Sequence, residues 1–143
     1  MIKNPKINTY VFFAGRCEEA LEFYKTAIGA KVEMLMRFNE SPDKSALNHI
    51  QAGFENKVMH SAFWVNDTLI LASDGCNEDA GFKGFSLVLN VENEAEADRA
   101  FAALSDGGKV KMPLSKTFWS PRYGMLQDRF GVEWMVMVPG ESP

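Results

Sequence analysis

Apolar positions recur along this chain in two alternating rhythms. Residues 17 to 28 place apolar side chains at 17, 20, 21, 24, 27 and 28, the spacing of an amphipathic helix. Glu18 and Glu19 fall in its first turn, where the helix dipole favours acid, and Gly29 is placed to end it. A second helix is announced by Asn93, a capping residue, with Glu96 three positions on. Its stripe is Ala97, Ala100, Phe101 and Leu104, and Asp106-Gly107-Gly108 stops it. Around these helices lie runs rich in β-branched and aromatic residues, which read as strands. The first half has them at 7–13, 30–38, 58–65 and 68–73, the last two joined at Asn66-Asp67, a tight-turn pair. The second half has them at 85–91, 109–119 (broken), 122–128 and 132–138.

The two halves therefore spell the same order: strand, helix, three strands. The repetition reaches the letters. Residues 29–34 read Gly-Ala-Lys-Val-Glu-Met and residues 107–112 read Gly-Gly-Lys-Val-Lys-Met, 107 − 29 = 78 positions apart. The closing hairpins agree at a shorter offset, near 64, and the polar stretch 39–56, with Pro42 and Gly53, absorbs the difference. That stretch is a candidate lid or a plain surface loop. The expected organisation is one domain over 1–143, made of modules at about 7–74 and 85–138 with a linker at 75–84. The fold class is α+β: two tandem βαβββ modules forming a curved eight-stranded mixed sheet around a cleft.

Composition narrows the function classes. The chain has 143 residues, enough for a proper core, and its net charge is −4 with both signs interspersed. No basic stripe suggests nucleic acid, and no apolar run is long enough to span a membrane. Cys17 and Cys76 form neither a CxxC pair nor a disulfide framework, and no signal peptide is evident, so a cytoplasmic protein is expected.

A duplicated βαβββ unit of this size resembles the vicinal-oxygen-chelate superfamily of glyoxalase I, extradiol dioxygenases and bleomycin-resistance proteins, and more narrowly its PhnB-like branch. The motifs that carry the likeness are Phe-Ala-Gly-Arg-Cys-Glu-Glu-Ala-Leu-Glu-Phe-Tyr at 13–24, Leu-Ala-Ser-Asp at 71–74, Phe-Trp-Ser-Pro-Arg-Tyr-Gly at 118–124, and Asp-Arg-Phe-Gly at 128–131 with Trp134. Arg129 stands where the branch usually has proline, and Val132 where histidine is frequent. Members of the branch are often labelled ubiquinone methyltransferases, but no glycine-rich cofactor loop follows a strand here.

The resemblance implies four metal-ligand slots, His or Glu in the metal-dependent relatives, on the first and fourth strand of each module. Gap-free counting puts them on Thr9, Leu71, Ser86 and Met135, none of which suits a divalent cation. No metal and no other cofactor is expected, unless a relocated site exists. A two-residue turn at Asn66-Asp67 would pair Trp64 with Leu69, Ala62 with Leu71 and His60 with Ser73, so His60 and Ser73 share the face of Leu71. His60 is then a buried structural histidine, a ligand anchor or a general base. Val11, Phe118, Trp119, Arg122 and Glu133 complete the expected cleft lining. Arg122, paired with Met137, could clamp an anion. His49 reads as solvated, and Cys17 as part of the apolar stripe rather than a nucleophile.

Two readings stand. One is a metal-free protein binding a small, partly apolar molecule, with the acidic balance suiting a cation. The other is a lyase, isomerase or dioxygenase using His60 with Asp74 or Glu133, through acid–base chemistry or a relocated metal. A homodimer is expected with either.

Overall fold

A computed structural model of the chain describes residues 2–79 and 81–140. Ala80, inside the expected linker, lies outside the described residues. The chain divides into two compact units, Met1–Ala80 and Gly81–Pro143.

The first unit contains β1 (Thr9–Phe12), α1 (Cys17–Ile28), β2 (Lys31–Arg37), β3 (Val58–Val65) and β4 (Thr68–Ser73). The expected loop 39–56 carries two 3-10 turns, Phe38–Glu40 and Lys44–His49. The second unit contains β5 (Leu87–Asn90), α2 (Glu94–Ser105), β6 (Lys109–Ser115), β7 (Arg122–Gln127) and β8 (Glu133–Val138). The strands form two four-stranded sheets, ordered β1-β4-β3-β2 and β5-β8-β7-β6. Each is mixed, because β1 runs parallel to β4 and β5 to β8 while the remaining pairs are antiparallel.

Local chemistry explains the ends of the elements. Gly29 caps α1 with φ 72°, a left-handed conformation that costs other residues a clash at Cβ. The side chain of Asn93 accepts a hydrogen bond from the Glu96 amide at 2.9 Å. Glu96 does not complete the box at Asn93; its carboxylate accepts from the Glu92 amide at 3.1 Å, one residue earlier. The β3–β4 hairpin has the expected two-residue turn, with Asn66 at φ 53° and Val65 opposite Thr68.

Each sheet packs one face on its helix. In the first unit that face is Val11, Ser61, Phe63, Ile70 and Ala72, and beneath α1 it meets Leu21 and Tyr24, all nearly inaccessible to solvent. The Tyr24 ring lies 6.0 Å from Phe63 and 6.1 Å from Phe13. In the second unit Leu126, Trp134 and Val136 meet Ala97, Phe101 and Leu104. Burying each large side chain contributes roughly 1.5–3 kcal/mol.

Two buried carboxylates tie the main chain together. Asp74 accepts from the amides of Cys17 and Val58, both at 2.7 Å, and so fastens the start of α1 to β3. Asp128 accepts from the amides of Phe130 and Val132 at 2.9 and 3.0 Å and from the Trp134 indole at 2.9 Å. It thereby holds the five-residue turn between β7 and β8 in one shape, and that turn sets the register of the hairpin.

Candidate functional site

Cross-strand partners point to the same face of a sheet, so the register shows which side chains look away from the helix. In the first unit Ala62 pairs with Leu71, and Leu71 with Tyr10 on β1. Phe12 pairs with Ser73, Met36 with His60 and Met34 with Ala62. The open face therefore carries Tyr10, Phe12, Met34, Met36, His60, Leu71 and Ser73. In the second unit Val88 pairs with Met135, Met135 with Met125, Met125 with Met112, and Tyr123 with Met137. Six of the eight methionines, Met34, Met36, Met112, Met125, Met135 and Met137, thus lie on open faces. Within each unit their flexible, polarisable thioethers give that sheet's open face an adaptable apolar character.

Several expectations about individual residues change. Thr9 and Val11 belong to the opposite face: Thr9 pairs with Ile70 and Val11 with Ala72, and Val11 is 3% exposed in the core under α1. Tyr10 and Phe12 take the places expected of them. Apolar side chains occur on both faces of this strand, so alternation could not tell one from the other, and a slip of one residue exchanges the faces. Arg122 pairs with Val138, not Met137, and turns toward α2. There it makes a bidentate clamp on Asp98, with hydrogen bonds of 2.9 to 3.1 Å. The physical reason is the turn held by Asp128, one residue longer than the pairing with Met137 requires. Ser86 precedes β5, and Val88 holds the place beside Met135.

Other expected residues sit as follows. His60, Leu71 and Ser73 share the open face of the first sheet. The Ser73 hydroxyl is committed to the turn that follows, accepting from the Gly75 amide at 3.1 Å. Glu133 and Met135 share the open face of the second sheet, and Glu133 is ion-paired with Lys111. Phe118 is 100% exposed on the loop after β6. Trp119 packs edge-on against Tyr123, ring centroids 4.5 Å apart. A surface hollow of about 380 Å³ lies along this loop, lined by residues 116–121 and Gly140. His49 is exposed at the end of its 3-10 turn.

Among the described residues, Tyr10 and His60 form a hydrogen-bonded polar pair on the first open face. The phenol Oη lies 3.1 Å from His60 Nδ1, and the rings stack at 5.7 Å. The Phe12 ring follows at 4.9 Å from Tyr10. Tyr10 was absent from the sequence-derived site. The hairpin rule located His60, and only the parallel register of β1 on β4 brings Tyr10 to it.

The two carboxylates that the enzyme reading set beside His60, Asp74 and Glu133, have other partners. Asp74 spends both oxygens on main-chain amides. Cys17 is wholly buried, and burial, with smaller repulsion from Asp74 and Glu18, pushes its thiol up to about 12, so it is no nucleophile. Among the described residues no three His, Cys, Asp or Glu side chains come together as a metal site. Of the four expected slot residues, Leu71 has Tyr10 as its neighbour on β1 and Met135 has Val88 as its neighbour on β5, in place of Thr9 and Ser86. No described helix is long and apolar enough to cross a membrane.

Two mixed four-stranded sheets, each backed by one helix, define the glyoxalase/bleomycin-resistance-like class of fold. A glyoxylase/bleomycin resistance protein/dioxygenase domain from Frankia sp. EAN1pec shares it with a TM-score of 0.65 over 97% of this chain and 95% of that one, at 12% identity. Within that class the chain belongs to the PhnB-like family, whose model, described as 3-demethylubiquinone-9 3-methyltransferase, matches residues 5–137. It is 31% identical to Protein YjdN of Escherichia coli (strain K12), covering 96% of this chain and 97% of that one. The crystal structure of protein PA1353 from Pseudomonas aeruginosa superposes with a TM-score of 0.82 at 39% identity, covering 95% and 98% of the two chains.

Proposed function

We propose that this PhnB-like protein binds a small, partly apolar molecule on the open sheet face of its first module, without the superfamily's metal. The observation that carries the reading is the hydrogen-bonded Tyr10–His60 pair on a face otherwise made of Phe12, Met34, Met36 and Leu71. A few placed polar groups on an aromatic and apolar wall are what small-molecule recognition needs. His60 serves as the polar anchor. Proton transfer would call for a carboxylate partner, and among the described residues the hydrogen-bond partner of the imidazole is the Tyr10 phenol.

The test is a ligand screen followed by amide and methyl chemical-shift mapping. Binding should perturb Tyr10, Met34, Met36 and Leu71, and His60→Leu should weaken it about tenfold. Elemental mass spectrometry, on protein purified without chelator or nickel resin, should find no stoichiometric metal after incubation with zinc, manganese, nickel or iron. One metal per chain, lost in His60→Ala, would overturn the metal-free reading.

A further inference from the structure

His60 has two ring nitrogens, and the hydrogen bond at one decides what the other offers. Nδ1 faces the Tyr10 hydroxyl at 3.1 Å. Among the described residues Oη has no other hydrogen-bond partner, and Nε2 has none. Between a phenol and an imidazole the favourable direction is clear. The phenol is the stronger donor and its oxygen the weaker acceptor, while an unprotonated ring nitrogen is a good acceptor. Tyr10 therefore donates to Nδ1, and a neutral His60 must carry its proton on Nε2. The stacking of the two rings restrains the imidazole further.

Resting on the binding reading above, we infer that Tyr10 sets His60 as an outward-facing hydrogen-bond donor, so that this face selects aromatic molecules bearing a carbonyl or carboxylate oxygen. The oxygen accepts from Nε2–H. The aromatic body lies against Phe12 and the thioethers of Met34 and Met36, contacts that sulfur and π-systems both favour. The group nearest the ligand thus asks for an acceptor. The net charge of −4, which suits a cation, is a weak distant field by comparison. Tyr10 acts here as a positioning residue and His60 as the specificity-determining one.

Two measurements test this. The first is the long-range ¹H–¹⁵N spectrum of the imidazoles, with His49→Gln assigning the pair. His60 should show the Nε2–H tautomer, and Tyr10→Phe should give a mixture of tautomers while leaving the ring stack in place. A dominant Nδ1–H form in the unaltered protein overturns the inference.

The second compares three matched probes: 2-acetylnaphthalene, 2-ethylnaphthalene and 2-naphthylmethylammonium. The ketone should bind about tenfold tighter than the hydrocarbon, the worth of one well-made hydrogen bond. His60→Leu should abolish that advantage, Tyr10→Phe should reduce it severalfold, and His60→Gln, which keeps a donor, should retain part of it. Equal affinities of ketone and hydrocarbon at this face, or preference for the ammonium, would sink the acceptor rule while leaving the binding reading intact. Absence of any shift at Tyr10, Met34, Met36 and Leu71 with all three probes would remove both.

Discussion

In the first module the place beside Leu71 belongs to Tyr10, and His60 stands two residues along β3 from Leu71's other partner, Ala62. In the second module the matching places belong to Val88, beside Met135, and Tyr123, two residues from Met125. One scaffold thus carries two differently furnished faces. The first holds an imidazole paired to a phenol. The second holds the in-register row Met112, Met125 and Met135, with Tyr123 braced by Trp119. The main chain of the two modules is more alike than their side chains. Both second strands start after a positive-φ glycine, Gly29 and Gly107, and both break register just after the valine of the repeated hexapeptide, between Val32 and Met34 and between Val110 and Met112. What repeats is the backbone device; what differs is the chemistry placed on it.

The largest effects should come from the buried carboxylates. Asp74→Ala leaves two main-chain amides without acceptors and should cost about 4 kcal/mol in urea unfolding. Asp128→Ala should cost a similar amount in the second module, so a large loss at one and none at the other would show that the modules are not held alike.

The repeated hexapeptide offers a sharper contrast. A Cβ on Gly108 would lie 2.1 Å from the Gln127 carbonyl oxygen, whereas Ala30 occupies the matching place in the first module and is buried. Gly108→Ala should destabilise by about 3 kcal/mol and Ala30→Gly by about 1 kcal/mol, measured in the same way. Equal costs would mean that the two strands enter their sheets alike.

Cys17 and Cys76 differ in burial, so a thiol reagent should modify Cys76 in the native protein and both after unfolding. Burial raises the Cys17 thiol from its usual 9.0 to about 12. The folded state thus holds the proton more tightly than the unfolded one. This stability is fully present below pH 9.0 and drains away as the pH climbs toward about 12. Cys17→Ala should flatten that alkaline slope, which a denaturation series across the range would reveal.

The smallest effects should come from the strand-to-helix ion pairs, Arg37 with Glu18 and Arg122 with Asp98. The Arg37 guanidinium holds the Glu18 carboxyl below its ordinary range, so the pair weakens as acid protonates Glu18. Both pairs are substantially exposed. Arg37→Ala and Arg122→Ala should each cost under about 1 kcal/mol, less still in high salt. A larger loss at Arg122 would mean that its clamp on Asp98 holds α2 in place.

Much of the architecture is local and was therefore legible. Helix α1 spans the residues that periodicity marked, because apolar spacing, first-turn acids and Gly29 all act within a few residues. The β3–β4 hairpin has the expected register, because a two-residue turn leaves little choice, and His60 was located from it. Arg122 was misassigned because its register depends on a longer turn that a buried aspartate holds. Thr9 and Val11 were misassigned because β1 meets β4 through a crossover of some fifty residues, and nothing near either strand encodes which residue faces which. The sequence by itself determined the two βαβββ modules and their helices. Only the tertiary structure decided which face of β1 is open, and so that Tyr10 reaches His60, because parallel register is settled by packing against α1 and not by any turn.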